Sequence, residues 1–187
     1  MSDRWSQLPL SDQTSWGSWM APLLACITAT EGPILEIGAG DWSTPFLHHI
    51  AITAGRPVHT VEADQKWMQR YRQLEMENRH TLQHAREGYE LACHMAAAAA
   101  TLHGLWGVVL VDGSPSETRA AQCLILRKHA TYLVVHDFSG KECIEAFTDE
   151  VLHRWPFIGV APRPRYSPSS LILGWQPIPA FPGVERL

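Results

Sequence analysis

A short acidic and glycine-rich stretch, Glu36-Ile-Gly38-Ala-Gly40-Asp, is the first place in the 187-residue chain where residue types and spacing indicate ligand binding. Glycines let the backbone approach a ligand closely, and the helix predicted after them offers free N–H groups at its start. A dinucleotide fingerprint would have a third glycine at position 43, where this chain has Ser43. The stretch therefore favours a cofactor without a pyrophosphate, although an ordinary strand-to-helix turn would have the same pattern.

Three further polar positions each follow a predicted strand. Glu62 could accept hydrogen bonds from both hydroxyls of a ribose. Asp112 emerges from an apolar run in which an unused carboxylate would be costly, so it is predicted to bind or orient another group. His136 and Asp137 place an imidazole beside a second carboxylate. An imidazole, whose ordinary pKa is about 6.5, suits general base catalysis. A hydrogen-bonded structural role for His136 is an equally open reading.

The elements that must position these residues follow from hydrophobic periodicity and from glycine and proline breaks. Strands and helices alternate from about residue 33 to residue 152, and the pattern then changes to two strand-like segments joined by a Pro- and Arg-rich loop. The predicted strands are 34–37, 58–62, 81–86, 106–111, 131–135, 157–160 and 170–175, and the predicted helices are 11–30, 44–54, 65–78, 90–102, 116–128 and 143–152.

This alternation predicts an α/β fold: an open, doubly wound, Rossmann-like, mostly parallel sheet of seven strands with a C-terminal antiparallel hairpin and an added N-terminal helix. The chain is expected to form one domain, because 187 residues support one sizeable core. Within it, we assign residues 1–32 to a helical extension, 33–175 to the core and 176–187 to a tail. The strand ends carrying the polar residues then meet at one edge of the sheet.

The glycine stretch, the strand-end acids and the His136-Asp137 pair together resemble the class I S-adenosylmethionine-dependent methyltransferases, in particular small bacterial members, over roughly residues 33–175. The resemblance implies that the first loop holds the methionine part of the cofactor, that Glu62 holds its ribose and that the stretch around Gly88 flanks its adenine. The cofactor-binding residues implied in this way are Glu36, Gly38, Gly40, Ser43, Thr44, Glu62, Gly88, Tyr89 and Asp112.

The resemblance also suggests roles in catalysis. Asp112, His136 and Asp137 are the expected catalytic residues, with His136 removing a proton from a hydroxyl or an amine. Asp112 and Asp137 match the aspartates of metal-dependent O-methyltransferases, but Phe138 stands where those enzymes have asparagine, so a divalent metal is not favoured.

Two residues are candidates for binding the methyl acceptor. Arg119 could anchor a carboxylate of the acceptor, or it could instead pair with Glu117 or Asp112. Tyr166 lies in the hairpin loop, which is expected at the same edge of the sheet as the site.

The predicted activity is methyl transfer to a small-molecule acceptor, with an oxygen acceptor favoured over nitrogen because the strand-end residues resemble those of O-methylating members. Two alternatives remain: an S-adenosylmethionine-consuming lyase or cyclase, and a non-catalytic module that binds the cofactor. The formal net charge of -4 gives no basic field for nucleic acid, so a nucleic-acid partner is not favoured.

Composition predicts a cytoplasmic protein. Its 4 cysteines form no C-x-x-C pair, which suggests reduced thiols, and no apolar segment resembles a secretory leader or a membrane span. The N-terminal helix, which contains Trp16 and Trp19, is interpreted either as a lid over the acceptor or as the contact of a homodimer.

Overall fold

The computed structural model describes residues 19–138, 141–161, 169–181 and 184–186. The strands are β1 Ile34–Ile37, β2 Val58–Glu62, β3 His80–His84, β4 Trp106–Val111, β5 Ala130–Val135, β6 Phe157–Ala161, β7 Ser170–Gly174 and β8 Glu185–Arg186. The helices are α1 Met20–Thr28, α2 Ser43–Thr53, α3 Gln65–Gln69, α4 Tyr89–His103, α5 Arg119–Leu126, α6 Lys141–Ala146 and α7 Asp149–Leu152. Short 3₁₀ turns occupy Arg72–Leu74 and Ser116–Thr118.

These strands form one sheet in the order β3-β2-β1-β4-β5-β7-β6-β8. Strands β1 to β5 pair in parallel, whereas β7 is antiparallel to both β5 and β6. The predicted fold class is therefore confirmed. The two-residue β8, which pairs with β6, extends the predicted seven strands to eight.

The core lies on both faces of the sheet. All six residues of β4 are buried, as expected for a strand that is covered on two sides. Val109 and Val111 pack among residues of α4 and α5, whereas Val108 and Leu110 pack among residues of α1 and α2. The order reverses between β1 and β4, which opens a crevice at their carboxyl ends.

Two predicted helices are shorter than expected. The helix predicted at 65–78 ends at Gln69, because Met76 pairs with His80 and Asn78 has a φ of 60°, which turns the chain into β3. The helix predicted at 143–152 is split into α6 and α7, and the carbonyl of Thr148 accepts the first N–H groups of the second piece.

The described part of the N-terminal helix belongs to the core. Leu23 and Cys26 of α1 are fully buried, and the ring of Trp19 contacts Phe46 edge-on at 5.7 Å. These residues pack on the sheet, and this contradicts a lid made from them; residues 11–18 of the predicted helix lie outside the described residues. No helix in the described ranges is long and apolar enough to cross a bilayer.

Part of the predicted tail packs on the sheet. Ile178 is buried, and the carbonyl of Pro177 accepts a hydrogen bond of 2.8 Å from the hydroxyl of Tyr132. The division into 1–32, 33–175 and 176–187 stays a prediction.

Candidate functional site

A cavity of about 600 Å³ lies at the carboxyl ends of the parallel strands, within the range of roughly 300–1,000 Å³ typical of small-molecule sites. It joins the loop after β1 to the ends of β2, β4 and β5. Its lining residues are Gly38, Ala39, Gly40, Asp41, Trp42, Glu62, Asp64, Trp67, Tyr89, Asp112, Ser114, Arg119 and Asp137.

The loop after β1 passes directly over the end of β4. Gly38 has a φ of 90°, and a Cβ at this position would lie 2.7 Å from the backbone of Asp112. A side chain here would therefore be strained and would collide with the neighbouring strand end. The N–H of Gly38 donates to the carbonyl of Val61 at 2.8 Å, which fixes the loop to β2 as well.

Glu62 lies at the junction of three segments, and it is 4% exposed. Its Oε2 accepts the N–H of Ala39 at 2.8 Å, and its Oε1 accepts the N–H of Asp64 and the hydroxyl of Tyr89, each at 2.7 Å. A carboxylate offers about four lone-pair sites, so one remains for a ligand hydroxyl. The structure thus brings predicted residues Glu62 and Tyr89 together on the cavity wall.

A second contact network holds the loop from α3. The carboxylate of Asp41 accepts from the hydroxyl of Tyr71 and pairs with Arg70, each at 2.7 Å. The guanidinium of Arg70 lies 4.1 Å from the ring centre of Trp67, whose Nε1 donates to the carbonyl of Ala39 at 2.6 Å. Trp67 itself lines the cavity.

Glu36 and Thr44 support the loop from below and do not line the cavity. Glu36 is fully buried, and its Oε2 accepts the hydroxyls of Thr44 at 2.9 Å and Thr60 at 2.7 Å. The Thr44 hydroxyl in turn accepts the N–H of Gly40 at 2.9 Å. The side chains of Glu36 and Thr44 are therefore sealed under the backbone, and the assignment of these two residues to the cofactor-binding set stays a prediction.

Burial raises the pKa of Glu36 to about 7, and the hydroxyls of Ser43, Thr60 and Thr44 oppose this change. Asp112 raises it further through charge repulsion. Glu36 is thus a carboxyl group that titrates near neutral pH beneath the cavity.

Two histidines extend this network, and sequence reasoning did not find them. His80 is fully buried, and its Nε2 lies 2.8 Å from the Thr60 hydroxyl. Its Nδ1 lies 3.2 Å from Nδ1 of the half-buried His48. Burial lowers the pKa of His80 to about 4, helped by the neighbouring His48 and His59, so His80 is neutral at pH 7. The neutral His80 can donate from Nε2 to Thr60, which donates to Glu36.

Arg119 joins the ends of β4 and β5, and it is only 5% exposed. Its Nε donates to the carbonyl of Gly113 at 2.9 Å, and its Nη1 donates to the carbonyl of His136 at 2.6 Å. Its Nη2 lies 3.1 Å from Oδ1 of Asp112. The guanidinium is therefore used inside the protein, in the pairing with Asp112 that the sequence offered as the alternative to a substrate anchor.

His136 is 2% exposed and lies between the two predicted catalytic carboxylates. Its Nδ1 is 3.1 Å from Oδ1 of Asp112, and its Nε2 is 3.3 Å from Oδ1 of Asp137 without hydrogen-bond geometry. His136 does not line the cavity, and its two ring nitrogens face Asp112 and Asp137, an arrangement that suits a positioning role; proton removal by His136 itself stays a prediction.

Asp137 is the residue of this pair that reaches the cavity. It has a φ of 50°, a left-handed conformation in which aspartate is tolerated better than most side chains. Burial raises its pKa; the neighbouring His136 lowers it, and Asp112 raises it. A carboxylate with a raised pKa is a better proton acceptor than an ordinary one.

Asp112, His136 and Asp137 also have the residue types of a metal site. One ligand atom from each lies within 4.8 Å of the others. The same Oδ1 of Asp112 already faces both Arg119 and His136, which competes with a cation at this position. The residues therefore fit a charge network better than a divalent metal centre.

The remaining predicted site residues lie elsewhere. Gly88, with a φ of 92°, precedes α4 and lines a separate cavity of about 220 Å³. Ser43 is 2% exposed, so its hydroxyl does not reach the main cavity. Tyr166 lies outside the described residues.

No family model matches the chain, and no curated protein matches it in sequence. Solved structures do match its fold. An O-methyltransferase from Bacillus cereus in complex with SAH aligns with a TM-score of 0.60 and 16% identity, over 90% of this chain and 85% of its own. The O-methyltransferase TomG from Streptomyces achromogenes, in complex with SAM and involved in tomaymycin synthesis, aligns at 0.59 and 16%, over 84% and 78%.

A fibrillarin pre-rRNA processing protein from Methanococcus jannaschii aligns with a TM-score of 0.57 and 16% identity, over 87% of this chain and 77% of its own. The fold is therefore that of the class I S-adenosylmethionine-dependent methyltransferases, as the strand-end motifs predicted. Proteins with this fold include O-methyltransferases and an RNA-processing protein, so the fold leaves the acceptor open.

Proposed function

We propose that the chain binds S-adenosylmethionine in the main cavity and transfers its methyl group to a small-molecule acceptor. The observation that carries this proposal is a single cavity that brings together the glycine loop, Glu62 and the two carboxylates Asp112 and Asp137. When bound, this cofactor supplies a methyl group already activated by a positively charged sulfur, so the protein mainly has to align the acceptor and accept a proton.

The residues present fit this cofactor. The backbone at Gly38 and Gly40 is bare on the cavity side, so a ligand can approach it closely. Glu62 is held in place by three donors and keeps acceptor capacity for a ribose hydroxyl. Because the ligand is cationic, the carboxylates of the wall also match its charge.

Asp137 is the proposed proton acceptor. It faces the cavity, and the hydroxyl or amine of the acceptor would give it a proton as the new bond to carbon forms. Asp112 is held by Arg119 and by His136, so its carboxylate is fixed in position and partly neutralised. His136 in turn lies against Asp137 and positions it.

An oxygen acceptor is favoured over nitrogen, which agrees with the O-methyltransferases among the similar structures. RNA is disfavoured as an acceptor, because the cavity wall carries five carboxylates and the formal net charge of the chain is -4.

The test is a product analysis with S-adenosylmethionine and a panel of phenols, catechols and amines. We expect S-adenosylhomocysteine and a methylated product in equal amounts, and we expect Asp137→Asn to lower turnover by roughly 100-fold or more while cofactor affinity stays within about twofold. An exposed residue provides the control, Glu90→Gln, which should behave as the parent. Methylthioadenosine formed without an acceptor would instead indicate cleavage of the cofactor.

A further inference from the structure

The charged side chains on the cavity wall are mostly negative. Its described lining contains one guanidinium, that of Arg119, and five carboxylates: Asp41, Glu62, Asp64, Asp112 and Asp137. Arg119 donates to three backbone carbonyls and to the carboxylate of Asp112, so none of its three nitrogens is left without a protein partner. An anionic ligand would therefore face carboxylates with no available cation among the described lining residues, which costs free energy.

The carboxylates differ in how far they are compensated. Asp41 is paired with Arg70, and Asp112 is paired with Arg119. Asp64 accepts only backbone N–H groups, at 2.7 Å from Lys66 and 2.9 Å from Trp67. These hydrogen bonds lower the pKa of Asp64, that from Trp67 most, so it is ionised at neutral pH. The wall therefore has a net negative charge.

An exposed aromatic ring lies on the same wall. Trp42 follows the glycine loop directly, lines the cavity and is 48% exposed. Among the residues that the structure describes, no other ring and no guanidinium stacks on it. The guanidinium of Arg70 already stacks on the ring of the nearby Trp67, so a cation–π contact is present at the same edge of the sheet.

We propose that the methyl acceptor is a small aromatic cation, whose ring packs on Trp42 and whose positive charge is attracted by the carboxylates of the cavity. This inference rests on the proposed function and names its acceptor class. The methylated atom is a separate hydroxyl or amine of the same molecule, and its proton passes to Asp137. An exposed indole beside a ligand cavity binds flat and cationic groups well, so both features select the same kind of molecule.

Three probes with the same phenol ring separate ring recognition from charge recognition: tyramine, 4-hydroxyphenylacetate and 2-(4-hydroxyphenyl)ethanol. Binding is measured by calorimetry or by ligand-observed NMR, with and without saturating S-adenosylhomocysteine. We expect tyramine to bind at least about tenfold more tightly than the acid, with the neutral alcohol between them, and we expect added salt to narrow this difference.

Variants test each half of the inference. Trp42→Ala should lower the affinity for all three probes by about tenfold, whereas Trp42→Phe should keep most of that affinity. Neither variant should change the affinity for S-adenosylhomocysteine by more than about twofold. Asp64→Asn keeps the helix-capping oxygen of α3 and removes the charge, so it should narrow the preference for tyramine over the acid. Circular dichroism of each variant checks that it folds.

Three results would overturn the inference. The first is that the acid binds as tightly as tyramine, and the second is that no probe binds at concentrations up to about 10 mM, where even weak ligands of this size would bind. The third is that Trp42→Ala leaves every affinity unchanged. Failure of the proposed function has a different readout. In that case the protein would not bind S-adenosylmethionine or S-adenosylhomocysteine, while the charge preference of the cavity would still be measurable in the protein alone.

Discussion

The two halves of the cavity are held in different ways. On the side of β1 and β2, neutral donors position Glu62 and Glu36, namely backbone N–H groups, the Tyr89 hydroxyl and two threonine hydroxyls, while Asp41 at the loop pairs with Arg70. On the side of β4 and β5, the ion pair between Arg119 and Asp112 and the contact of Asp112 with His136 position these side chains. Fixed neutral dipoles provide a rigid receptor for a cofactor, whereas a charged network can exchange a proton with a substrate.

The unpartnered buried atoms differ in the same way. Oε1 of Glu36 and the hydroxyl of Ser43 lie beneath the glycine loop, near enough for the hydroxyl to lower the pKa of Glu36 but without hydrogen-bond geometry, and neither faces the cavity. Nε2 of His136 and Oδ1 of Asp137 lie within 3.3 Å of each other in a residue pair of which Asp137 reaches the cavity. We therefore expect variants on the side of β1 and β2 to change affinity and stability, and variants on the side of β4 and β5 to change turnover as well.

The largest expected effect on stability comes from removing Arg119, on the side of β4 and β5. Arg119→Met should lower the free energy of unfolding by about 3–5 kcal/mol, because it leaves the half-buried carboxylate of Asp112 and three backbone carbonyls without this donor. Urea unfolding measures the change. Arg72→Met removes an exposed ion pair with Glu75 and should cost about 1 kcal/mol or less. Equal costs for the two variants would contradict the charged network.

On the side of β1 and β2, Glu36 should make the free energy of unfolding depend on pH, because burial raises its pKa from 4.5 to about 7. The folded state holds this proton more tightly than the unfolded chain. Its stabilising effect is therefore complete below about pH 4.5 and is lost as the pH rises towards about 7, a change of about 3 kcal/mol. Glu36→Gln should lack this loss, because an amide does not titrate.

The measurement for this prediction is urea unfolding of the parent and of Glu36→Gln at several pH values between about 4.5 and 8. The stability of the parent relative to the variant should fall as pH rises. The exposed Glu90→Gln should follow the parent throughout. A difference between parent and Glu36→Gln that is constant with pH would show that Glu36 does not titrate in this range.

A smaller cost is expected from a single hydroxyl in the neutral half. Thr60→Val keeps the side-chain shape but removes the donor to Glu36 and the acceptor for His80, so it should cost about 1–3 kcal/mol. The exposed Thr101 hydrogen-bonds only to the carbonyl of Ala97, and Thr101→Val should cost less. Equal, small costs would mean that the buried chain of hydrogen bonds contributes little to stability.

No effect is expected from removing divalent metal. Oδ1 of Asp112 faces Arg119 and His136, so the cluster with Asp137 already has its positive charge. Methyl transfer should be the same after treatment with EDTA and after adding Mg²⁺ or Mn²⁺. A loss of activity with EDTA that Mg²⁺ restores would overturn this assignment and make Asp112 and Asp137 metal ligands.

The sequence predicted the sheet well because its strands are continuous apolar runs. β1 and β4 begin and end where the pattern indicated, since a strand buried on both faces leaves no polar positions to blur its limits. The region after Gln69 was less predictable, because a bridge from Met76 to His80 and a left-handed Asn78 replace the helix there. Such turns depend on tertiary contacts rather than on local periodicity.

The residues of the candidate site could be predicted only in part. Strand-end position alone identified Glu62, Asp112 and Asp137 as cavity residues, because parallel strands bring their carboxyl ends to one edge. It could not distinguish residues that face the cavity from those beneath it, such as Glu36 and His136, since one residue of shift reverses the direction of a side chain. Trp42 and Trp67 were missed because tryptophan is usually a core residue.

The most direct test of the account is calorimetric titration of the protein with S-adenosylmethionine. We predict one site per chain, with an affinity that falls at least about tenfold in Glu62→Gln, because the amide nitrogen would face an N–H or hydroxyl donor and weaken both the loop and the ribose contact. The affinity should be unchanged in Glu90→Gln. Absence of binding, or binding that Glu62→Gln leaves unchanged, would contradict the assignment of this cavity to the cofactor.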